Sequence, residues 1–476
     1  MSCCGGGFMF IGRKEEMKKL DQMYKSGGFE FAVVYGRRRI GKTTLITEFC
    51  KGKKAIYYMA SESTSKDNLE SFSRAVFEVL SPGLEMPPFQ SFDQLFRFIG
   101  QHLQERLILV IDEYPYLAAS EKAVSSLIQA YIDQYWKDSP LMLILCGSSM
   151  SFMENQVLGY KSPLYGRRTG QFRLRPFTYF EAEQFFPGYI AEEKALIYGV
   201  TRGIPEYLSR VRPELTVDEN IVELFFTSFG RLFEEPSNLL KQEMKNYAAY
   251  HAVISAVAKG KSRLNEIATT VGEETSACAN HLKALISLGL IKKEVPYMEN
   301  EKSRKTIYRL DDNMFRFWYR FVAPDISGIE RGLGKWIYEN KVKGQLADFM
   351  GSVFEEICIQ HLYRPDVIEN APFFYGSVGR WWGTDPRIKS QVEIDILGTC
   401  GEYMLLGECK WRNEKTDVDV LEKLRYCGEM FHQREKWYYL FSKSGFTGAI
   451  REKAKESDRI RLIGFADMEK YKDGRN

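Results

Sequence analysis

The chain has 476 residues, more than one core can organise, so two to four domains are expected. Its 44% hydrophobic and 27% charged content is ordinary for a globular protein, and a net charge of +3 excludes a chain that is basic throughout, so any nucleic-acid surface must be a local patch. The apolar runs are far too short to cross a bilayer, Met1–Gly7 lacks the basic start and apolar core of a signal peptide and reads as a loose tail, and the 9 scattered Cys form no CxxC pair. A cytoplasmic protein with reduced thiols and no membrane partner is expected.

In chain order, Gly12 and Arg13 precede a helical run with Met17, Leu20 and Met23 on one face. Phe31–Tyr35 then reads as a buried strand. It stops at Gly36, and Leu45, Ile46 and Phe49 recur beyond it at helical spacing. Between them stand Gly36, Arg37, Arg38, Arg39, Ile40, Gly41, Lys42, Thr43 and Thr44, a G-x-x-x-x-G-K-S/T match in the strand–loop–helix context it needs. Gly36 and Gly41 let the backbone wrap a polyphosphate, with N–H groups and a helix N-terminus facing the anion. Lys42 is expected on the β- and γ-phosphates of ATP, and Thr43 on Mg²⁺.

Leu107–Ile111 reads as a fully buried parallel strand that ends in Asp112 and Glu113. Ligands of open α/β sheets lie beyond the strands' carboxyl ends. Asp112 is therefore expected beside the Mg²⁺ held by Thr43, and Glu113 is placed to polarise the attacking water. A third buried run, Leu141–Cys146, ends at Gly147-Ser148-Ser149. Ser148 reads equally as a γ-phosphate sensor or as part of a turn. Arg167 and Arg168 follow, as a finger reaching a neighbouring subunit's nucleotide in a homo-oligomer or as a solvated basic turn.

The F-I-G-R, G-R-R-R-I-G-K-T, V-I-D-E and C-G-S-S segments, in this order and spacing, resemble the archaeal-type P-loop ATPases, AAA+/STAND-like proteins of archaea and bacteria. The resemblance implies ATP, Mg²⁺ and a sheet in which a third strand separates the phosphate-loop strand from the acidic one. It also implies that Gly12 and Arg13 lie near the nucleotide, and that Arg167 and Arg168 are candidate fingers.

Pro176–Tyr207 is helix-rich and contains Gly203-Ile204-Pro205, where a helix breaks and turns. Family members carry a similar element in a helical lid. Tyr247–Leu310 then reads as three helices and two short strands, a winged helix-turn-helix. Lys292, Lys293, Lys302, Arg304 and Lys305 lie in the wing region for sequence-independent DNA contacts. The third helix is poor in Arg, which equally suits a protein-docking module. Met314–Phe321 is dense in aromatic residues and reads as a buried helix.

Glu355 sits on a helix at Gly351–Leu362, and Val392–Leu397 and Tyr403–Lys410 look like a hairpin that brings Asp395, Glu408 and Lys410 together. Two carboxylates can hold Mg²⁺ while Lys410 orients or deprotonates a water. Acid, spacer and E-x-K resemble the PD-(D/E)XK restriction-endonuclease-like nucleases, with Ile394 where a Pro is usual. In that resemblance Glu355 matches an additional acid.

The expected fold class is α/β. It comprises a P-loop core at 8–170, a helical lid at 171–245, a winged helix at 246–312 and a restriction-endonuclease-like domain at 313–476. The expected function is a Mg²⁺-dependent ATPase coupled to a DNA-binding, nuclease-like domain. The alternative is a nucleotide-switched regulator that binds a protein partner or DNA without cleavage.

Overall fold

The computed structural model describes residues 10–244 and 246–469; the tail expected at Met1–Gly7 lies outside them. The chain forms two compact bodies. One runs to Pro176 and takes in Ile204–Glu206; the other holds Phe177–Gly203 and the chain from Tyr207 onward.

The first body is built on five parallel strands: β1 (Glu30–Tyr35), β2 (Ala55–Met59), β3 (Leu107–Asp112), β4 (Leu141–Gly147) and β5 (Gly170–Arg173), in the order β2-β3-β4-β1-β5. β3 and β4 are buried along their whole length, which is why they read as continuous apolar runs and not as alternating ones. β4 separates β1 from β3, as the resemblance implies. Ser65–Leu80 starts at a capping box in which Thr64 and Asp67 satisfy each other's backbone N–H groups. Its apolar face, Leu69, Phe72 and Val76, joins the sheet core.

The second body opens with short helices at Tyr179–Ala182, Ala191–Thr201 and Val217–Phe225. Gly203 has φ +65°, and a Cβ there would lie 2.3 Å from the Phe177 carbonyl oxygen. The Phe177 N–H also donates to the Gly203 carbonyl at 2.9 Å, so neither strand of this contact can give way. Gly203→Ala is expected to lower stability by roughly 2 kcal/mol, read as an earlier denaturant midpoint.

Helices at Tyr247–Ala258, Leu264–Val271 and Thr275–Ser287 follow, then the antiparallel pair β6 (Ile291–Glu294) and β7 (Ile307–Leu310). The aromatic run is core: Met314, Phe315, Phe317, Trp318, Tyr319 and Phe321 are all buried, and the Trp318 indole donates to the Phe233 carbonyl at 2.6 Å.

A mixed sheet closes the body, with β8 (Val378–Asp385), β9 (Ser390–Cys400), β10 (Tyr403–Lys410), β11 (Glu435–Ser442) and β12 (Ile460–Gly464) in the order β12-β11-β10-β9-β8. β9 pairs antiparallel with both β8 and β10, whereas β10, β11 and β12 run parallel. Leu346–Leu362 precedes this sheet, and Val418–Gly428 makes the parallel crossover from β10 to β11. Val420, Leu421 and Leu424 of that crossover pack on Leu406 and Leu440 of the sheet. The expected α/β class holds.

Candidate functional site

The first site lies at the carboxyl ends of β1, β3 and β4. β1 ends at Gly36, where a Cβ would come within 2.7 Å of the Leu174 carbonyl oxygen, so no larger residue fits. Gly41 turns at φ +86° and caps the Lys42–Cys50 helix. Between them Arg39 also takes positive φ, and its guanidinium pairs with Glu206 at 3.4 Å. Arg37 and Ile40 are buried, Arg38 donates to the Tyr116 hydroxyl at 2.9 Å, and Thr44 is exposed.

Lys42 is 6% exposed, and its ammonium donates back to the carbonyls of Gly36 (3.0 Å) and Arg37 (3.2 Å). The loop thus closes on its own lysine, a buried cation whose acceptors among the described residues are these two neutral carbonyls. The Thr43 hydroxyl donates to Asp112 Oδ2 at 2.9 Å. Asp112 is fully buried, and its Oδ1 accepts the Glu113 N–H at 2.8 Å. Glu113 has φ +49°, and its Oε2 accepts the Ser148 hydroxyl at 2.8 Å. The Ser148 hydroxyl is therefore tied to the Glu113 carboxylate.

Gly12 has φ +70°, and Arg13 after it φ +56°. This turn points the Arg13 guanidinium at the carbonyls of Ile40 (3.0 Å) and Arg175 (2.6 Å), so that it braces the loop backbone. Arg167 is held by Asp133 through two hydrogen bonds of 2.8 and 2.7 Å, within its own body; Arg168 is half-buried in the same turn.

Sequence reasoning missed Tyr57. Tyr57 donates to Asp112 Oδ2 at 2.6 Å, and burial followed by the Asp112 charge pushes its phenol upward, so it stays a donor. The alternating AIYYM run marks Tyr57 as lying on one face of β2, but only the pairing of β2 with β3 shows which face. Pro205 lies against Gly41, 3.6 Å from where a Cβ would be.

The donor set suits Mg²⁺. That ion takes one or two protein oxygens and fills its octahedron with phosphate and water, and Thr43 and Asp112 offer that many.

The second site lies on β9, β10 and the Leu346–Leu362 helix. Asp395 Oδ2 accepts the Cys409 N–H at 2.9 Å, and Glu408 and Lys410 form an ion pair on one face of β10. Burial and the Glu408 charge raise Asp395 to about 7. Burial and Asp395 raise Glu355 to about 8, although the Arg309 charge pulls the other way; Arg380 lies 3.4 Å from Glu355 Oε2. Burial draws Lys410 down, but Glu408 and Asp395 outweigh it and the net shift is upward. Its raised affinity for the proton keeps Lys410 charged beside Glu408.

Among the described residues no group of three or more His, Cys, Asp or Glu is arranged to hold a metal ion. Glu355 faces Arg380, which also reaches Glu393 (3.0 Å) and Glu294 (3.6 Å), and Glu408 faces Lys410. Asp395 and Glu408 remain a two-carboxylate pair of the size that Mg²⁺ accepts alongside a phosphate.

Asp395 and Glu355 bind protons more tightly folded than unfolded. Stability of the metal-free protein should therefore fall as pH rises from about 4, where unfolded carboxyls titrate, through about 8. Asp395→Asn should flatten that slope, as thermal midpoints at about pH 5 and about pH 8.5 would reveal.

The segment expected to form a wing carries acids as well as lysines. Lys292 pairs with Glu294 at 2.6 Å and Lys305 with Glu299 at 2.7 Å, because acids are interleaved with the lysines. Tyr297, between β6 and β7, receives the Thr399 N–H on its hydroxyl at 3.2 Å and donates its own N–H to the Arg380 carbonyl at 2.8 Å. Lys302 and Arg304 are exposed.

A family model described as an ATPase domain predominantly from Archaea matches residues 10–211. An uncharacterized protein of Methanocaldococcus jannaschii is 34% identical over 444 residues, which cover 91% of this chain and 96% of that protein. The chain belongs to this family of archaeal-type ATPases. A shorter M. jannaschii protein, an uncharacterized ATP-binding protein, is 43% identical over 49 residues, 10% of this ATPase and 83% of its own length. A Walker-type ATPase of Pyrococcus abyssi shares the fold, with a TM-score of 0.50 and 20% identity over 65% of this ATPase and 96% of that chain. Residues 318–421 of the ATPase match a second family model, of archaeal and bacterial proteins of unknown function. No described helix of the ATPase is long and apolar enough to cross a membrane.

Proposed function

We propose that the chain hydrolyses ATP at the Gly36–Thr44 loop and that nucleotide occupancy governs a DNA-engaging, phosphodiester-cleaving centre at Asp395, Glu408 and Lys410. The observation that carries the ATPase half is the meeting of Lys42, Thr43, Asp112, Glu113 and Ser148 at one sheet edge. Loop N–H groups hold the phosphates, and Lys42 exchanges its two carbonyl acceptors for phosphate oxygens. Mg²⁺, when bound, neutralises charge between the β- and γ-phosphates. Glu113 orients the attacking water, and Ser148 holds that carboxylate until a γ-phosphate competes for the hydroxyl.

For the remainder we keep the division into an ATPase core at 8–170, a lid at 171–245, a winged helix at 246–312 and a nuclease-like domain at 313–476. Support for the last is the order β12-β11-β10-β9-β8, with an acid-bearing helix before it and a crossover helix within it. Exposed Lys302 and Arg304 suit phosphate contacts. Coupling has a candidate route in the chain itself: Ile204–Glu206 belongs to the first body, while Gly203 and Tyr207 on either side belong to the second. A nucleotide-switched regulator is the second reading, favoured by the pairing of Lys292 and Lys305 with neighbouring acids. Arg167 or Arg168 as a finger in a homo-oligomer belongs to either reading.

The test is ATP turnover with Mg²⁺ or EDTA, with and without duplex DNA, alongside a DNA-nicking assay. Mg²⁺-dependent turnover that DNA stimulates, together with nicking, supports the full reading. Turnover without DNA response or nicking leaves the regulator. No turnover and no nucleotide retention overturns both.

A further inference from the structure

Tyr57 belongs to no loop of the phosphate site. It comes from β2, where it pairs with Val110, two residues before Asp112 on the neighbouring strand. Its hydroxyl nevertheless donates to Asp112 Oδ2 at 2.6 Å, and the Thr43 hydroxyl donates to the same oxygen at 2.9 Å. The other oxygen, Oδ1, accepts the Glu113 N–H at 2.8 Å. These three donors from three elements, with the weaker donor of the buried Cys146 thiol on β4 beside them, surround a carboxylate that is fully buried.

The three donors are not equivalent. The Glu113 N–H is backbone and stays. The Thr43 hydroxyl has lone pairs that would serve a cation, so of the three donors it is the one whose geometry must adjust when the site fills. Without the Tyr57 donor to Oδ2, Asp112 would then be held only by the Glu113 N–H and the weak thiol donor of buried Cys146. Carboxylates around metals are commonly held by such outer partners, and losing one weakens the metal more than the fold.

We propose that Tyr57 is a positioning residue of the ATP-hydrolysing centre, keeping the Asp112 carboxylate oriented toward Mg²⁺ when Thr43 turns to the ion. This rests on reading Thr43 and Asp112 as the Mg²⁺ site. Tyr57→Phe keeps the ring and removes only the donor. Its half-saturating free Mg²⁺ in ATP turnover should rise roughly ten-fold. Turnover at saturating Mg²⁺ should change less, and the affinity for a fluorescent ATP analogue in EDTA should equal wild type. Mn²⁺ titrated into the nucleotide complex and followed by electron paramagnetic resonance should bind more weakly in the variant, a readout independent of turnover.

An unchanged Mg²⁺ requirement and unchanged Mn²⁺ binding in Tyr57→Phe overturn the proposal while leaving the Thr43–Asp112 reading intact. Equal weakening of nucleotide binding in EDTA would assign Tyr57 to the structure of the loop and also overturn it. If wild-type protein shows no Mg²⁺ response at all, the reading beneath it falls as well. Thermal midpoints of both proteins, expected to agree, exclude loss of fold as the cause.

Discussion

Lys42→Ala is expected to lower Mg²⁺–ATP turnover by roughly 10²- to 10³-fold, the scale on which a preorganised charge at a reacting centre acts. The lysine is buried, and the two groups that hold its ammonium are loop carbonyls, at 3.0 and 3.2 Å. Both are weaker partners than a phosphate oxygen, so the charge is released to the nucleotide without breaking an ion pair. A buried cation is also worth more to a developing anion than an exposed one, because water does not screen it. Alanine at this position keeps the helix start, since Gly41 supplies the turn and alanine is the best helix former. The second body, with its own core, should keep its thermal transition. Turnover measured with excess Mg²⁺, together with retention of a fluorescent nucleotide on the folded variant, checks the expectation. A variant that turns over ATP like wild type would remove Lys42 from the site and leave the loop a turn between a strand and a helix.

The phosphate site was legible because its chemistry is local in sequence. Glycines that only glycine can replace, a lysine and a hydroxyl stand within nine positions, and Asp112 and Glu113 end an unbroken apolar run. What was not legible depends on which strands become neighbours. Tyr57 meets Asp112 only because β2 is paired with β3. Arg13 meets the Ile40 carbonyl only because a left-handed turn aims it there. The second site shows the same division. The i, i+2 spacing placed Glu408 and Lys410 on one face correctly, and the hairpin brought Asp395 to them. The capture of Glu355 by Arg380 follows from a neighbour on β8, and no spacing rule contains it. The wing lysines were read as a positive patch by counting one sign of charge. Glu294 and Glu299, in the same segment, decide how much of that charge is available.

Lys410→Ala should abolish metal-dependent DNA cleavage, by roughly 10²-fold or more, and leave ATP turnover unchanged. Its ammonium is half-buried against Glu408, and the net effect of its surroundings is to hold the proton on it. A protonated lysine beside a carboxylate pair supplies a positive charge to a pentavalent phosphate. Removing it also leaves Glu408 without its partner, next to an Asp395 already disfavoured as an anion by that charge. The variant should therefore bind Mn²⁺ no more weakly than wild type, since an opposing cation has gone, while cleaving far more slowly. That split separates a catalytic lysine from a scaffold one. A lysine that merely shields two acids would, when lost, lower stability near neutral pH and leave cleavage per bound metal untouched. If wild type itself never nicks DNA with Mg²⁺ or Mn²⁺ under ATP, but both proteins bind DNA with the same salt dependence, the acids serve a grip. Glu408→Ala should then leave binding unaltered, because phosphate contacts and not the carboxylates carry it.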